Sequence, residues 1–151
     1  MSKVFYNSKL AKTILFKGYN TIMLFGYIFT KKESLMPSSF LRHELIHCEQ
    51  YKECIIAFLI PFAILCIFYS WWWLPIYFLM YYIIYGVEYL ISLIYNIFKT
   101  LIKKEKFDIS EINHKAYKAS AFEIEADKNE EIEDYLDHRK GFAFIKYYGK
   151  L

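Results

Sequence analysis

Phe40-Leu41-Arg42-His43-Glu44-Leu45-Ile46-His47 contains the pattern His-Glu-x-x-His, and no helix breaker falls between Ser39 and Cys54. On a helix, His43 and His47 lie four residues apart and point from one face, one turn above the other. Two imidazoles so placed can fill two corners of a tetrahedral zinc site. Glu44, beside the first of them, is then positioned as a general base on a metal-bound water. The segment Pro37-Ser38-Ser39 is a helix start, with serine able to cap the first turn after a tolerated proline. The resulting helix carries Phe40, His43, His47, Gln50 and Cys54 along one face. The pattern points to metal-dependent hydrolysis.

Upstream, residues 1–37 have the composition of strands and turns. Thr13-Ile14-Leu15-Phe16 is a short apolar run, Lys17-Gly18-Tyr19-Asn20 has turn character, and Thr21 to Thr30 is rich in β-formers. The expectation is a β-hairpin with one strand at about Ile22–Phe29 leading towards the motif helix; an amphipathic, membrane-dipping segment is the alternative. Lys9, Lys12 and Lys17 interrupt every apolar run, so no cleavable signal peptide is expected.

Downstream, the helix enters an apolar stretch from Cys54, which is followed by Ser70-Trp71-Trp72-Trp73-Leu74-Pro75 and a second apolar stretch from Ile76 to Phe98. Each stretch fits the roughly 20 residues, in a range of about 17 to 25, that cross a bilayer. Pro75 favours a helical hairpin over one continuous helix, and the tryptophans suit a membrane–water interface. Lys31, Lys32, Arg42 and Lys52 precede the hairpin, Lys99, Lys103, Lys104 and Lys106 follow it, and the turn carries no charge. The positive-inside rule then places both termini in the cytoplasm. The apolar content of 56% in 151 residues supports membrane insertion, and a net charge of +3 spread along the chain excludes a nucleic-acid partner. Cys48, Cys54 and Cys66 show no paired spacing and are expected to be reduced and buried.

Glu88 stands eleven residues before Lys99, about 16 Å along a helix and near the middle of the expected span. It is expected either to bond structurally, to Ser92 or to a group across the hairpin, or to face a wet cavity leading to the metal. A third metal ligand is sought in Ala121-Phe122-Glu123-Ile124-Glu125-Ala126-Asp127. Glu123 and Asp127 share a helix face, so Glu123 can bind the ion while Asp127 accepts the outer N–H of a ligand histidine. Glu125 is the rival ligand, and a solvated acidic face is the bland alternative. His114, Tyr117, Tyr135 and His138 are equal candidates for stabilising an oxyanion.

The order His43-Glu44-x-x-His47, two apolar helices, then Phe122-Glu123-x-x-Ala126-Asp127 resembles the core of the membrane-embedded gluzincin proteases, which include heat-shock protease X and the CAAX prenyl protease. The resemblance covers about residues 37–134. It implies zinc bound by His43, His47 and Glu123, Glu44 as catalytic base, and Asp127 behind a ligand histidine. Relative to that family the chain is a minimal version, shorter at both ends. It also resembles small uncharacterised bacterial membrane proteins that share the His-Glu-x-x-His-x-x-Gln helix, which suggests a bacterial inner membrane.

The expected fold is mainly α with a small N-terminal β-hairpin: an integral-membrane helical hairpin joined to a minimal gluzincin-like two-helix zinc site. It forms one domain over 1–151, divided into a β-hairpin region (1–37), the motif helix (38–53), a transmembrane hairpin (54–98) and a cytoplasmic helical region with the third ligand (99–151). The expected function is zinc-dependent peptide-bond hydrolysis at the cytoplasmic face, on a peptide or protein substrate beside membrane lipid. The alternative is a non-catalytic, membrane-anchored zinc sensor or interaction protein.

Overall fold

The structure, a computed structural model, describes residues 3–15, 18–103 and 107–149. It is mainly helical, with a small three-stranded sheet near the N-terminus. Strand β1 (Val4–Phe5) and helix α1 (Lys9–Ile14) precede a hairpin of β2 (Thr21–Leu24) and β3 (Tyr27–Thr30). The long helices α2 (Ser38–Phe68) and α3 (Trp73–Lys103) follow, then α4 (Ile109–Lys118), α5 (Ala121–Asn129), a short α6 (Tyr135–His138) and a 3-10 turn (Ala143–Tyr147).

The hairpin forms, but not with the expected turn. Residues Thr21 to Thr30 do not make one strand; they fold back at Phe25-Gly26, where φ is 52° and 79°. Two successive left-handed residues make the tight turn that matches strand twist. Ile22 pairs with Phe29, and β1 lies parallel on the other side of β3, giving the order β1-β3-β2. Thr13 and Ile14, expected in the first strand, end α1, because Ser8 caps that helix by accepting from the Ala11 amide. Phe16 and Lys17 of the expected strand and turn lie outside the described residues. A phenylalanine at a turn position concealed the reversal inside an apolar run.

Helix α2 begins at Ser38 after Pro37, but neither serine caps it: no side chain bonds to its first-turn amides. It then runs unbroken past Pro61 to Phe68. The chain reverses over residues 69–72, and Pro75 falls in the first turn of α3, where its missing N–H would have no helical partner. Both helices are long and apolar enough to cross a membrane. They pack as a hairpin in which the Tyr77 hydroxyl donates to Ile55 O at 2.8 Å and the Tyr51 hydroxyl to Phe78 O at 3.4 Å.

Away from that seam, α2 exposes Ile56, Ile60, Ile67 and Phe68, each at least two-thirds exposed, and Trp71 and Trp72 stand out at the turn. The core lies at the other end, where Phe122, fully buried, packs with Tyr81, Phe144, Cys48 and Met23. Cys48, Cys54 and Cys66 are all buried, and none forms a disulfide among the described residues.

Helix α4 starts at Asp108, whose carboxylate accepts from the Ser110 and Glu111 amides, and it returns along α3. Helix α5 is started by Ser120, whose hydroxyl accepts from the Phe122 amide at 3.2 Å, and this sets α5 against the motif half of α2.

Candidate metal centre

Helix α2 presents His43 and His47 with their Nε2 atoms 3.1 Å apart, as the four-residue spacing requires. Helix α5 brings Glu123 to them: Oε1 lies 3.1 Å from His47 Nε2, and Oε2 lies 3.6 Å from His43 Nε2. A tetrahedral ion with bonds of about 2.0–2.1 Å separates its donors by about 3.3 Å. The three side chains therefore have the spacing of one face of a metal coordination shell. Glu123 is 2% exposed, and its Oε2 is the one buried side-chain oxygen or nitrogen, among the described residues, without a hydrogen-bond partner. A buried carboxylate oxygen left unpaired is costly. An ion held between it and the imidazoles removes that cost, so the residues present fit a metal.

The carboxylate's electrostatics agree. Burial penalises its charged form, yet the His43 and His47 imidazoles beside it outweigh burial and hold Glu123 well below the ordinary carboxyl range. Glu125 is excluded by position. It is fully buried and accepts from the Tyr135 hydroxyl at 2.8 Å, Arg139 Nε at 2.7 Å and Gln50 Nε2 at 3.0 Å. Arg139 also grips both oxygens of Glu53, at 2.5 and 2.9 Å.

Behind the histidines, the pairing departs from expectation. Asp127 Oδ1 lies 3.5 Å from His43 Nδ1, and Lys118 holds its two oxygens at 2.7 Å each. Glu130 makes the bond instead, with Oε2 2.8 Å from His43 Nδ1. Arg42 fixes this segment by donating to the Glu130 carbonyl. Glu130 follows Glu123 by seven residues and so shares its face, a signal hidden among the neighbouring acidic residues.

The second histidine is oriented by Gln50. The Gln50 amide nitrogen has two partners that can only accept, Phe122 O and the Glu125 carboxylate, each at 3.0 Å. Its oxygen must therefore face His47 Nδ1, 2.8 Å away, which carries the proton. His47 Nε2 is then the nitrogen directed at Glu123 and His43. Tyr81, 3.2 Å from the same Nδ1, and Tyr85, whose hydroxyl donates to Glu123 Oε1 at 2.9 Å, complete the surroundings. Neither tyrosine is marked by any local motif.

Glu44 is buried beside the two imidazoles and lines a cavity of about 300 Å³ together with Glu123, Tyr117 and strand β2. Of the four oxyanion candidates, only Tyr117 reaches this cavity. Burial and the charge of Glu123 raise its pKa, so it remains a phenol able to donate. Tyr135 is committed to Glu125, while His114 and His138 are exposed. Strand β2 is an edge of the sheet, and its residues Thr21 to Leu24 form one wall of the cavity.

Glu88 takes the structural role. Its Oε2 accepts from the Ser120 hydroxyl at 2.7 Å and the Ala121 amide at 2.9 Å, and Tyr148 donates to Oε1. It therefore caps the helix that carries Glu123. Ser92 is not its partner; the Ser92 hydroxyl accepts from the Asn96 amide instead.

Comparison with protein-family models, with curated proteins and with solved structures finds no match to this chain.

Proposed function

We propose that the chain is a membrane-anchored zinc metallopeptidase of gluzincin type, hydrolysing peptide bonds near the cytoplasmic membrane surface. The observation that carries this reading is the buried Glu123 carboxylate set against two imidazoles with its Oε2 unpaired, and Glu44 beside them on an open cavity. His43, His47 and Glu123 hold the ion, and imidazole with carboxylate is a zinc-type donor set. When bound, zinc supplies a Lewis acid and lowers the pKa of a water molecule.

The chain's own residues do the rest. The Glu44 carboxylate takes the proton of the attacking water and delivers it to the departing amine. The Tyr117 hydroxyl donates to the oxygen on which negative charge develops. A substrate segment adds in extended form to the free edge of β2, a mode that needs only backbone hydrogen bonds. Glu130 and Gln50 hold the two histidines in the tautomers that direct Nε2 at the ion.

Membrane anchoring rests on the two helices long and apolar enough to cross and on the apolar side chains they expose. Basic residues at both ends of the hairpin, with none at its tryptophan turn, support termini on the cytoplasmic side. From Cys54 to Phe68, α2 extends about 22 Å at 1.5 Å per residue. That is most of a hydrocarbon core of roughly 30 Å, which supports a metal centre close beneath the membrane surface.

The test is Glu44→Gln. The variant should keep its zinc and lose cleavage of a casein or peptide-library substrate that the parent cleaves. Cleavage at the parent rate by the variant would overturn the mechanism. Stoichiometric zinc in a parent that cleaves nothing would favour a zinc-binding sensor.

A further inference from the structure

We propose that the metal centre acts at the junction between a polar and an apolar stretch of polypeptide, because the cleft that crosses it changes character at Thr21. Two cavities, of about 300 and 380 Å³, meet at the centre, and Tyr19, Thr21, His43, Glu44, Tyr117 and Glu123 line both. Beyond these shared residues the cavities diverge. The first is completed chiefly by Leu15, Ile22, Met23, Leu24, Tyr82 and Tyr85. Among the described residues it holds no lysine or arginine, and its only carboxylates are Glu44 and Glu123 of the centre itself. The second is completed by Asn20, Lys32, Lys118, Asp127 and Glu130, with Gly18 and Phe40 beside them.

The chain through β2 runs along that change. Asn20 lines only the polar cavity, Thr21 lines both, and Ile22, Met23 and Leu24 line only the apolar one. Leu24 lies about 10 Å beyond Thr21 at the usual strand rise of roughly 3.3 Å per residue. A substrate strand added to the β2 edge therefore passes from one environment to the other, with its reacting bond near the level of Thr21.

The apolar side does not end at Leu24. The turn residue Phe25 borders a further cavity of about 610 Å³, lined by Tyr51, Ile55, Pro75, Phe78 and Leu79 as well, none of them charged. The Phe25 amide donates to the Tyr82 hydroxyl at 2.6 Å, and its ring meets those of Tyr51 and Tyr82 edge-on, with centroids 6.2 and 5.7 Å away. The turn is thereby fixed where the cleft reaches the two helices long and apolar enough to cross a membrane. An apolar stretch leaving the cleft past Leu24 is received by this surface, whereas a charged one would lose its hydration there without a partner. The occupant is thus the apolar stretch of the substrate itself. The inference rests on the peptidase reading of the centre and deepens it by naming the substrate class.

The experiment uses the full chain with zinc in neutral detergent and three synthetic peptides of identical composition. The first joins a Leu/Phe block to a Ser/Glu/Lys block, the second reverses the blocks, and the third intersperses the same residues. Cleavage sites are read by mass spectrometry, and binding to the Glu44→Gln variant by fluorescence anisotropy. A block peptide should be cut at its junction. The interspersed peptide should react with a kcat/KM lower by about 10- to 100-fold, the worth of a large buried apolar side chain. Leu24→Lys should abolish that preference and Leu24→Gln reduce it, while Leu24→Ile keeps it, with zinc content unchanged in all. Equal handling of block and interspersed peptides, cuts away from the junction, or an unaltered preference in both Leu24→Lys and Leu24→Gln would overturn the proposal. A block peptide that Glu44→Gln binds in preference but the parent leaves uncut would instead contradict the peptidase reading, with the polarity of the cleft upheld.

Discussion

Gln50 stands between His47 and Glu125, its oxygen 2.8 Å from the imidazole Nδ1 and its nitrogen 3.0 Å from the carboxylate. The acceptor-only partners of the nitrogen fix which way the amide points, and the amide fixes the histidine tautomer. Gln50→Leu removes this control but leaves Glu125 held by Arg139 and Tyr135. Zinc affinity, measured by competition with a chromophoric chelator, should fall about 10- to 100-fold. The far-UV spectrum should be unchanged.

Glu123 and Glu125, two residues apart on α5, should respond to the same substitution in different ways. Glu123→Gln should abolish tight zinc binding, because it removes the charged ligand. Glu125→Gln should retain zinc binding and cost about 3–5 kcal/mol of stability, as expected when a buried, Arg-paired charge is removed. Metal content and denaturant unfolding measured on both variants separate the two roles.

Glu123 also sets a pH dependence for the metal-free protein. Its pKa is lowered in the fold from an ordinary 4.5. Its contribution to stability is therefore fully present above pH 4.5 and is lost progressively as pH falls below that value. Glu123→Gln and the parent should accordingly converge in stability on the acid side. Metal binding has the opposite competitor, the imidazole protons that pair with this carboxylate. Zinc affinity should rise with pH and proton release should accompany binding, as read by calorimetry in buffers of different ionisation enthalpy.

Glu88→Ala removes an acceptor shared by the Ser120 hydroxyl, the Ala121 amide and Tyr148. Hydrogen bonds to a charged acceptor contribute about 1.5–3 kcal/mol, and a destabilisation of about that size is expected in denaturant unfolding. Because Glu88 starts the helix carrying Glu123, zinc affinity should weaken as well.

Much of this arrangement was legible in the sequence, for local reasons. The histidine spacing and the unbroken run from Ser39 to Cys54 follow from helix geometry alone. The two long apolar stretches and the uncharged tryptophan turn announce the hairpin in the same way. The side of α5 that carries Glu123 was within reach because residues four apart share a helix face, and that side meets the two histidines. What was hidden depends on packing between distant segments. Lys118, from α4, occupies Asp127, and Glu130 takes its place behind His43. Tyr81 and Tyr85 enter the site from α3, and only the hairpin's register brings them there. The reversal at Phe25-Gly26 escaped because phenylalanine is a poor turn residue, and here the Tyr82 hydroxyl holds its amide at 2.6 Å.

The central claim is that His43, His47 and Glu123 form a zinc centre. Its most direct test is the zinc content of the full chain, purified at neutral pH without chelator, measured by elemental analysis against protein concentration. About one zinc per chain is expected in the parent, retained in Glu44→Gln and lost in Glu123→Gln, consistent with a site of three protein ligands. A parent protein free of zinc that takes up none on addition would contradict it.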